Sequence, residues 1–302
     1  MGENRGARVE TMPGPRPPFR RRQRFVLPGC ISAISRASGA VGGEAARVIT
    51  LYGMASPNVR KVLIALEEIG LPYRTEHVAV FRGRQFDETF LALNPTAKVP
   101  VLLDPAGPAG TVPIFESGAI LIYLAESYAP RFYPPEGPAR WEVLKWLMLQ
   151  MAQIGPVFEE HGHYRLTEGN DHAAGRARRA MAQLFRALER RLSEAPWLGG
   201  SAYSIADMAT FPWAVRLRRY GMDAAELPRL LDWRARIEAR PAIDRSFRAI
   251  QPWSDQDEAD RTAATPEETG RFLGLHIRAP SAQAAAAYRG QTKAAKEESG
   301  RD

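Results

Sequence analysis

The sequence predicts two units in series, a small α/β unit followed by an all-helical one. Three observations predict this. Residues 48–128 alternate short β-branched and aromatic runs with two runs of helical period. Residues 129–139 then hold Pro130, Pro134, Pro135, Gly137 and Pro138, a linker composition. Beyond the linker the hydrophobic period is helical throughout, at 140–160, 171–194, 204–219 and 227–239.

The elements follow in order. Val48-Ile49-Thr50-Leu51-Tyr52 reads as a strand, and residues 53–56 as a loop. Pro57 opens a helix at its first position, with Ser56 as N-cap. Val59, Val62, Leu63, Leu66 and Ile69 share one face of that helix, and Gly70 closes it. Residues 73–80 alternate as a second strand. Residues 99–103 and 112–115 read as two more, joined by a Pro/Gly turn. Residues 117–128 form a second clear helix. Ser204 to Asp207 has the S-x-x-D spacing of a capping box, with Tyr203 and Met208 as its staple. Read as folding machinery, Asp207→Ala is expected to cost about 1 kcal/mol of stability.

The domain reading is therefore a basic extension over 1–47, an α/β domain over 48–130, a linker over 131–139, a helical domain over 140–253 and a mostly disordered tail over 254–302. The extension is rich in Pro and Arg and is expected to be disordered. A tail, a transit peptide or a start placed too far upstream all remain open for it. One loose helix near residues 282–288 is expected in the C-terminal tail.

Bulk properties narrow the function. No run of about 18 apolar residues occurs, so no membrane-spanning helix is expected. Cys30 is the one cysteine of the 302 residues, which rules out a disulfide within one chain and fits a reducing compartment such as the cytoplasm. The formal charge of +7 is concentrated in residues 1–47, where nine Arg and three acids give +6. Basicity held in an extension is not a nucleic-acid-binding face, so neither nucleic acid nor membrane is expected as a partner. His161 and His163 are two apart and do not share a helical face. With no third ligand close by, no metal site is expected.

Three words carry a family resemblance. Asn94-Pro95-Thr96-Ala97-Lys98-Val99-Pro100-Val101-Leu102 resembles the "NPxxKVPxL" segment of glutathione transferases. Phe115-Glu116-Ser117-Gly118-Ala119-Ile120 resembles their "ESxAI" segment at the same interval. Trp197-Leu198-Gly199-Gly200 with Tyr203-Ser204-Ile205-Ala206-Asp207 resembles their helical-domain signature. Together they span about two-thirds of the chain. Ser56-Pro57-Asn58, Gly83-Arg84-Gln85-Phe86 and Gly155-Pro156 before His161, His163 and Tyr164 are most similar to the bacterial and fungal group of disulfide-bond reductases and nitrogen-regulator-like proteins.

The resemblance implies a thioredoxin-like domain joined to an all-α domain, and glutathione as co-substrate. It implies a cis Val99-Pro100 bond, which turns the Val99 backbone groups toward the cysteinyl part of the tripeptide. Glu116 and Ser117, at a helix start, suit the γ-glutamyl ammonium and carboxylate. Gln85 and Lys98 are the expected partners of the glycyl end. For sulfur, Asn58 is the first candidate donor and Ser56 the second, with Tyr52 as a dissenting candidate and Ser56 open to being used up in capping. A free thiol has a pKa near 8.5, so a donor and a helix N-terminus are needed to hold the thiolate. His161 and Tyr164, with Trp146 and Gln150, are expected to wall a second-substrate pocket for a small electrophile or disulfide. The resemblance implies a homodimeric enzyme of conjugation or of disulfide or peroxide reduction, and a non-catalytic binding or regulatory module is the alternative.

Overall fold

The computed structural model describes residues 48–108, 112–164 and 169–274. The expectations for 1–47, for Cys30 and for a helix near 282–288 lie outside the described residues.

The α/β part is a four-stranded sheet in the order β2-β1-β3-β4. β1 (Ile49–Gly53) pairs in parallel with β2 (Tyr73–His77) and antiparallel with β3 (Val101–Leu103), which pairs antiparallel with β4 (Pro113–Phe115). A parallel pair needs a crossover, and α1 (Pro57–Ile69) supplies it. Ser56 caps α1, accepting from Val59 N at 3.3 Å, and Gly70 ends it in the left-handed region at φ 80°. The second strand is shorter than expected. After His77 the chain bends into 3₁₀ turns at Val80–Arg82 and Arg84–Phe86, with Gly83 between them at φ 76°. A four-residue helix, α2 (Glu88–Leu91), precedes the Asn94 turn. Helix α3 (Ser117–Tyr128) has the expected bounds.

The segment read as a linker is shorter and better packed than its composition suggested. Phe132 and Tyr133 are buried, and α4 (Gly137–Leu149) begins with Pro138 in its first turn. A π-helical turn at Gln150–Ile154 joins α4 to α5 (Gly155–Tyr164). Helices α6 (Asp171–Glu194), α7 (Ile205–Ala214) and α8 (Pro228–Glu238) follow. Helix α7 is buried along its whole length and packs on α1, so one hydrophobic core runs through both parts. This explains α1 itself: Val59 and every residue from Lys61 to Leu66 are buried, because α3, α7 and α9 (Pro241–Ala263) pack on the helix and Ile49, Leu51 and Leu102 of the sheet share its core.

Two expectations need correction here. Asp207 does more than close a capping box. Its carboxylate is fully buried and accepts from Ser204 N at 3.0 Å, Ser204 Oγ at 2.9 Å, Leu198 N at 2.9 Å and Trp233 Nε1 at 2.8 Å. It ties the 197–200 loop, α7 and α8 together. The tail reading also stopped order too early: α9 continues past Trp253 to Ala263, and α10 (Pro266–Phe272) follows, capped by Thr265 and Glu268. The acidic composition that suggested disorder sits on the solvent side of α9, in i,i+3 and i,i+4 pairs such as Gln251–Asp255 and Glu258–Arg261. Trp253 and Asp257 face inward.

Candidate active site

A cleft of about 920 Å³ opens where the α/β part meets α5 and α10. Three chain segments build its floor. The start of α1 contributes Ser56, Asn58 and Lys61, the 94–100 segment contributes Lys98, Val99 and Pro100, and the start of α3 contributes Glu116 and Ser117. Each depends on local folding. Asn94 Oδ1 accepts from Thr96 N at 3.0 Å, and Asn94 Nδ2 donates to Lys98 O at 2.7 Å, which fixes the turn that leads into the cis Val99–Pro100 bond. Glu116 sits at φ 70°, a conformation that costs of order 1–3 kcal/mol for a non-glycine residue and often marks a functional position. Its carbonyl accepts from Ile120 N at 3.0 Å, so the strained residue is also the N-cap of α3.

The structure brings Asn58, Ser56, Gln85, Lys98, Val99, Pro100, Glu116, Ser117, Gln150 and Tyr164 to this one cleft. Ser56 is occupied in capping, as left open from the sequence, and Asn58 stands free on the first turn of α1. Tyr52 is not among the cleft-lining residues. It lies half-buried on β1, opposite Glu76 and Val101, and burial, then Glu76, pushes its phenol above the ordinary value. Two residues expected on the pocket wall are placed elsewhere: Trp146 lies under the Arg191 guanidinium, its ring centroid 5.6 Å away, and His161 also stays out of the cleft. His161 is buried, its ring 6.3 Å from that of Tyr220, on the core side of α5. His163 takes its place on the cleft wall, 5.9 Å from the Tyr164 ring. The two-residue spacing explains the swap, since it turns the side chains about 200° apart on a helix. Among the described residues there is no group of three or more His, Cys, Asp or Glu set to hold a metal ion.

Sequence reasoning missed Lys61. Its ammonium is 1% exposed and donates to Gln150 Oε1 at 2.7 Å and Ser117 Oγ at 3.3 Å. Burial pushes its pKa down to about 7, against the pull of Glu116 and Glu159. Lys61 thus joins α1, α3 and the π turn at one point. The signal for it is faint: a lone lysine inside a helix whose other central residues are apolar. Two amides of the cleft lining are incompletely bonded. Gln85 Oε1 and Gln150 Nε2 are buried, belong to cleft-lining residues and have no hydrogen-bond partner. Buried polar atoms are rarely left unpaired, so an acceptor and a donor in one cleft suit a polar ligand that offers both. C-terminal residues complete the wall: Arg271, Phe272 and Leu273 line the cleft, and α10 is held by the Phe272–Phe81 ring pair at 4.7 Å and by Arg82–Glu268 at 3.0 Å.

A sheet with a cis-proline segment facing two helix starts, closed by a helical domain, defines a thioredoxin-like site of the glutathione transferase class. The glutathione S-transferase N-terminal domain family matches residues 55–127 and the C-terminal domain family matches residues 144–241. The chain belongs to the glutathione S-transferase family. It is 36% identical over 208 residues to the disulfide-bond oxidoreductase YfcG of Escherichia coli, covering 68% of this chain and 96% of that protein. Among solved structures it is similar to a Pseudomonas putida glutathione transferase with one glutathione disulfide bound per subunit (TM-score 0.64, 34% identity, 72% of this chain and 97% of that one). It is also similar to Ure2p in complex with glutathione (TM-score 0.65, 25% identity, 72% and 98%).

Proposed function

We propose that the cleft binds glutathione, stabilises its thiolate and delivers that sulfur to a disulfide. The observation that carries this reading is that the Asn58 turn, the cis Val99–Pro100 segment and the strained Glu116–Ser117 helix start converge on one cleft, whose lining also holds the buried Gln85 Oε1 and Gln150 Nε2 without partners. In this reading the Val99 backbone pairs with the cysteinyl unit, and Glu116, Ser117 and the α3 N-terminus hold the γ-glutamyl end. Gln85 and Lys98 take the glycyl end. Asn58 donates to sulfur beside the α1 N-terminus, which favours the thiolate. Among the described residues the cleft lining holds no cysteine, and in this reading the electrons come from glutathione. The thiolate attacks one sulfur of the substrate disulfide, that S–S bond breaks, and the leaving thiolate takes a proton. A second glutathione thiolate then attacks the glutathione sulfur of the mixed disulfide, releasing the second substrate thiol and glutathione disulfide. The second substrate lies against His163, Tyr164 and Phe272. The same thiolate adds to a carbon electrophile in conjugation, and the likeness to a disulfide oxidoreductase favours reduction. The need for reduced glutathione fits the cytoplasm.

A second reading, a glutathione-binding regulatory module, draws support from Ser56 being spent on capping and from the likeness to Ure2p. Calorimetric titration with glutathione, with thiolate absorbance followed against pH, separates the two. Binding with a thiol pKa well below 8.5 in wild type, lost in Asn58→Ala, supports the enzyme. Binding without a shift supports the module, and no binding at millimolar glutathione sinks both.

The assembly is proposed to be a homodimer through α4. Trp141 is 62% exposed and Met148 is 42% exposed, and a spacing of seven puts both on one face of that helix.

A further inference from the structure

We infer that Asp257, on α9, is a positioning residue: its carboxylate tethers the loop after β1 and so sets where Asn58 meets the glutathione sulfur. The inference rests on the glutathione reading above and adds a control point on the far side of the loop from the cleft.

Asp257 is 7% exposed and is not among the cleft-lining residues. Oδ2 accepts from the Ala55 backbone N–H at 2.7 Å, and Oδ1 is 2.7 Å from His77 Nε2. His77 ends β2, the strand beside β1, so the carboxylate is gripped from one side and grips the loop on the other. Trp253 lies one helical turn earlier on α9. Its ring centroid is 5.9 Å from that of His77, and it abuts Gly53, where an added Cβ would come within 3.0 Å of the Trp253 ring and 2.8 Å of Val59. The two α9 residues therefore face the loop together, at the i,i+4 spacing of one helix face.

Apart from the Asp257 tether and the Ser56 cap on α1, where Oγ accepts from Val59 N and the carbonyl from Arg60 N, two bonds hold the loop among the described residues. Gly53 O accepts from Val78 N at 2.7 Å, and Met54 O accepts from Ser56 N at 2.7 Å. The first bond lies within the α/β part and the second is inside the loop. Ala55 N–H is the donor that reaches to the helical domain, and it stands three residues before Asn58. A side chain that must meet sulfur within hydrogen-bond reach depends on such a tether, because a misplacement of about 1 Å costs up to about 10²-fold in rate. A carboxylate suits the place, as it accepts on both oxygens.

The test compares wild type, Asp257→Ala and Asp257→Asn. Hydrogen exchange over residues 53–58 is read without ligand, and the bound thiol pKa, kcat and KM are read with glutathione and a small aromatic disulfide. In Asp257→Ala, exchange at Ala55 is expected to speed up, the bound thiol pKa to rise by about one unit, and kcat to fall about tenfold with KM changed less. In Asp257→Asn the amide oxygen still accepts from Ala55, so most of the wild-type pKa is expected to return. A folded Asp257→Ala protein with wild-type exchange and wild-type thiol pKa overturns the inference. If Asp257→Ala does not fold, Asp257→Ser decides: its shorter side chain falls short of Ala55 N, and unchanged exchange at 53–58 with an unchanged thiol pKa overturns the inference. Should wild type fail to bind glutathione while Asp257→Ala still loosens the loop, the fault lies in the glutathione reading, and the inference falls with it.

Discussion

A primary amine closed off beneath a cleft has one cheap response to burial, which is to shed its proton. Lys61 is in that position. Its native pKa is pushed down from 10.5 to about 7 by burial. Between those two values the unfolded chain holds a proton that the native chain does not, so stability rises with pH across that window. Below about pH 7 both states are charged and the native state bears the full cost. Lys61→Met is expected to flatten the rise between pH 7 and 10.5, a difference of a few kcal/mol across the window. Near pH 6 part of the gain is offset because Gln150 Oε1 loses its donor, roughly 1–3 kcal/mol. Urea unfolding at several pH values measures it, and parallel slopes in the two proteins would refute the assignment. Asp207 is the opposite case. Removing it strands the Trp233 Nε1 and Leu198 N donors in the core, so Asp207→Ala is expected to cost roughly 3–5 kcal/mol. A loss near 1 kcal/mol would return it to a simple cap. The sequence shows why these two were under-read. A capping box is visible in four letters, while the donors from Leu198 and Trp233 are tertiary, and nothing local tells a buried lysine from a solvated one.

Among elements, those whose period and caps agree were legible. Pro57 and Gly70 bracket α1, and residues 117–128 form α3 as expected, because one strong face and clear ends leave few alternatives. The π turn at Gln150–Ile154 carries no such mark, since it is set by how α4 and α5 must meet α3. Gly118 shows the constraint: a Cβ there would come within 2.8 Å of Met151 Sδ and 2.9 Å of Met151 Cγ. Gly118→Ala is therefore expected to push Met151 away from the Ser117 helix start. It should cost roughly 1–2 kcal/mol and weaken glutathione binding several-fold. Thermal unfolding and calorimetry on the variant would check it, and wild-type affinity would show that the π turn gives way freely. The continuation of α9 was hidden for a related reason. Its buried residues are Trp253 and Asp257, one of them charged, and an acidic surface face masked the helix in composition.

At the scale of the molecule, the two-part architecture and the place of the cleft follow from motifs the sequence displays in order, whereas the C-terminal wall does not. Words such as Asn94 to Leu102 are local and survive reading in one dimension. The contact of Phe272 with Phe81 joins residues far apart in the chain and leaves no trace in either neighbourhood. The α4 face makes a separate prediction. Trp141→Glu should shift the sedimentation of a dimer toward monomer at micromolar concentration, and an unchanged profile would move the interface elsewhere.

The helix α10 has a further consequence. It is seven residues long, and among the described residues it is held to the α/β part by a ring pair and by an ion pair whose side chains are 36% and 21% exposed. Contacts of that kind are worth about 1 kcal/mol each. The site thus resembles a room with masonry on three sides and a hinged shutter on the fourth. Elements held by so few contacts open at lower free energy than the packed core, so hydrogen exchange in α10 should be faster than in α1 or α7. Under the proposed function a bulky disulfide would meet the cleft at Phe272, so substitutions at this C-terminal edge should alter which disulfides are accepted while leaving the glutathione floor undisturbed.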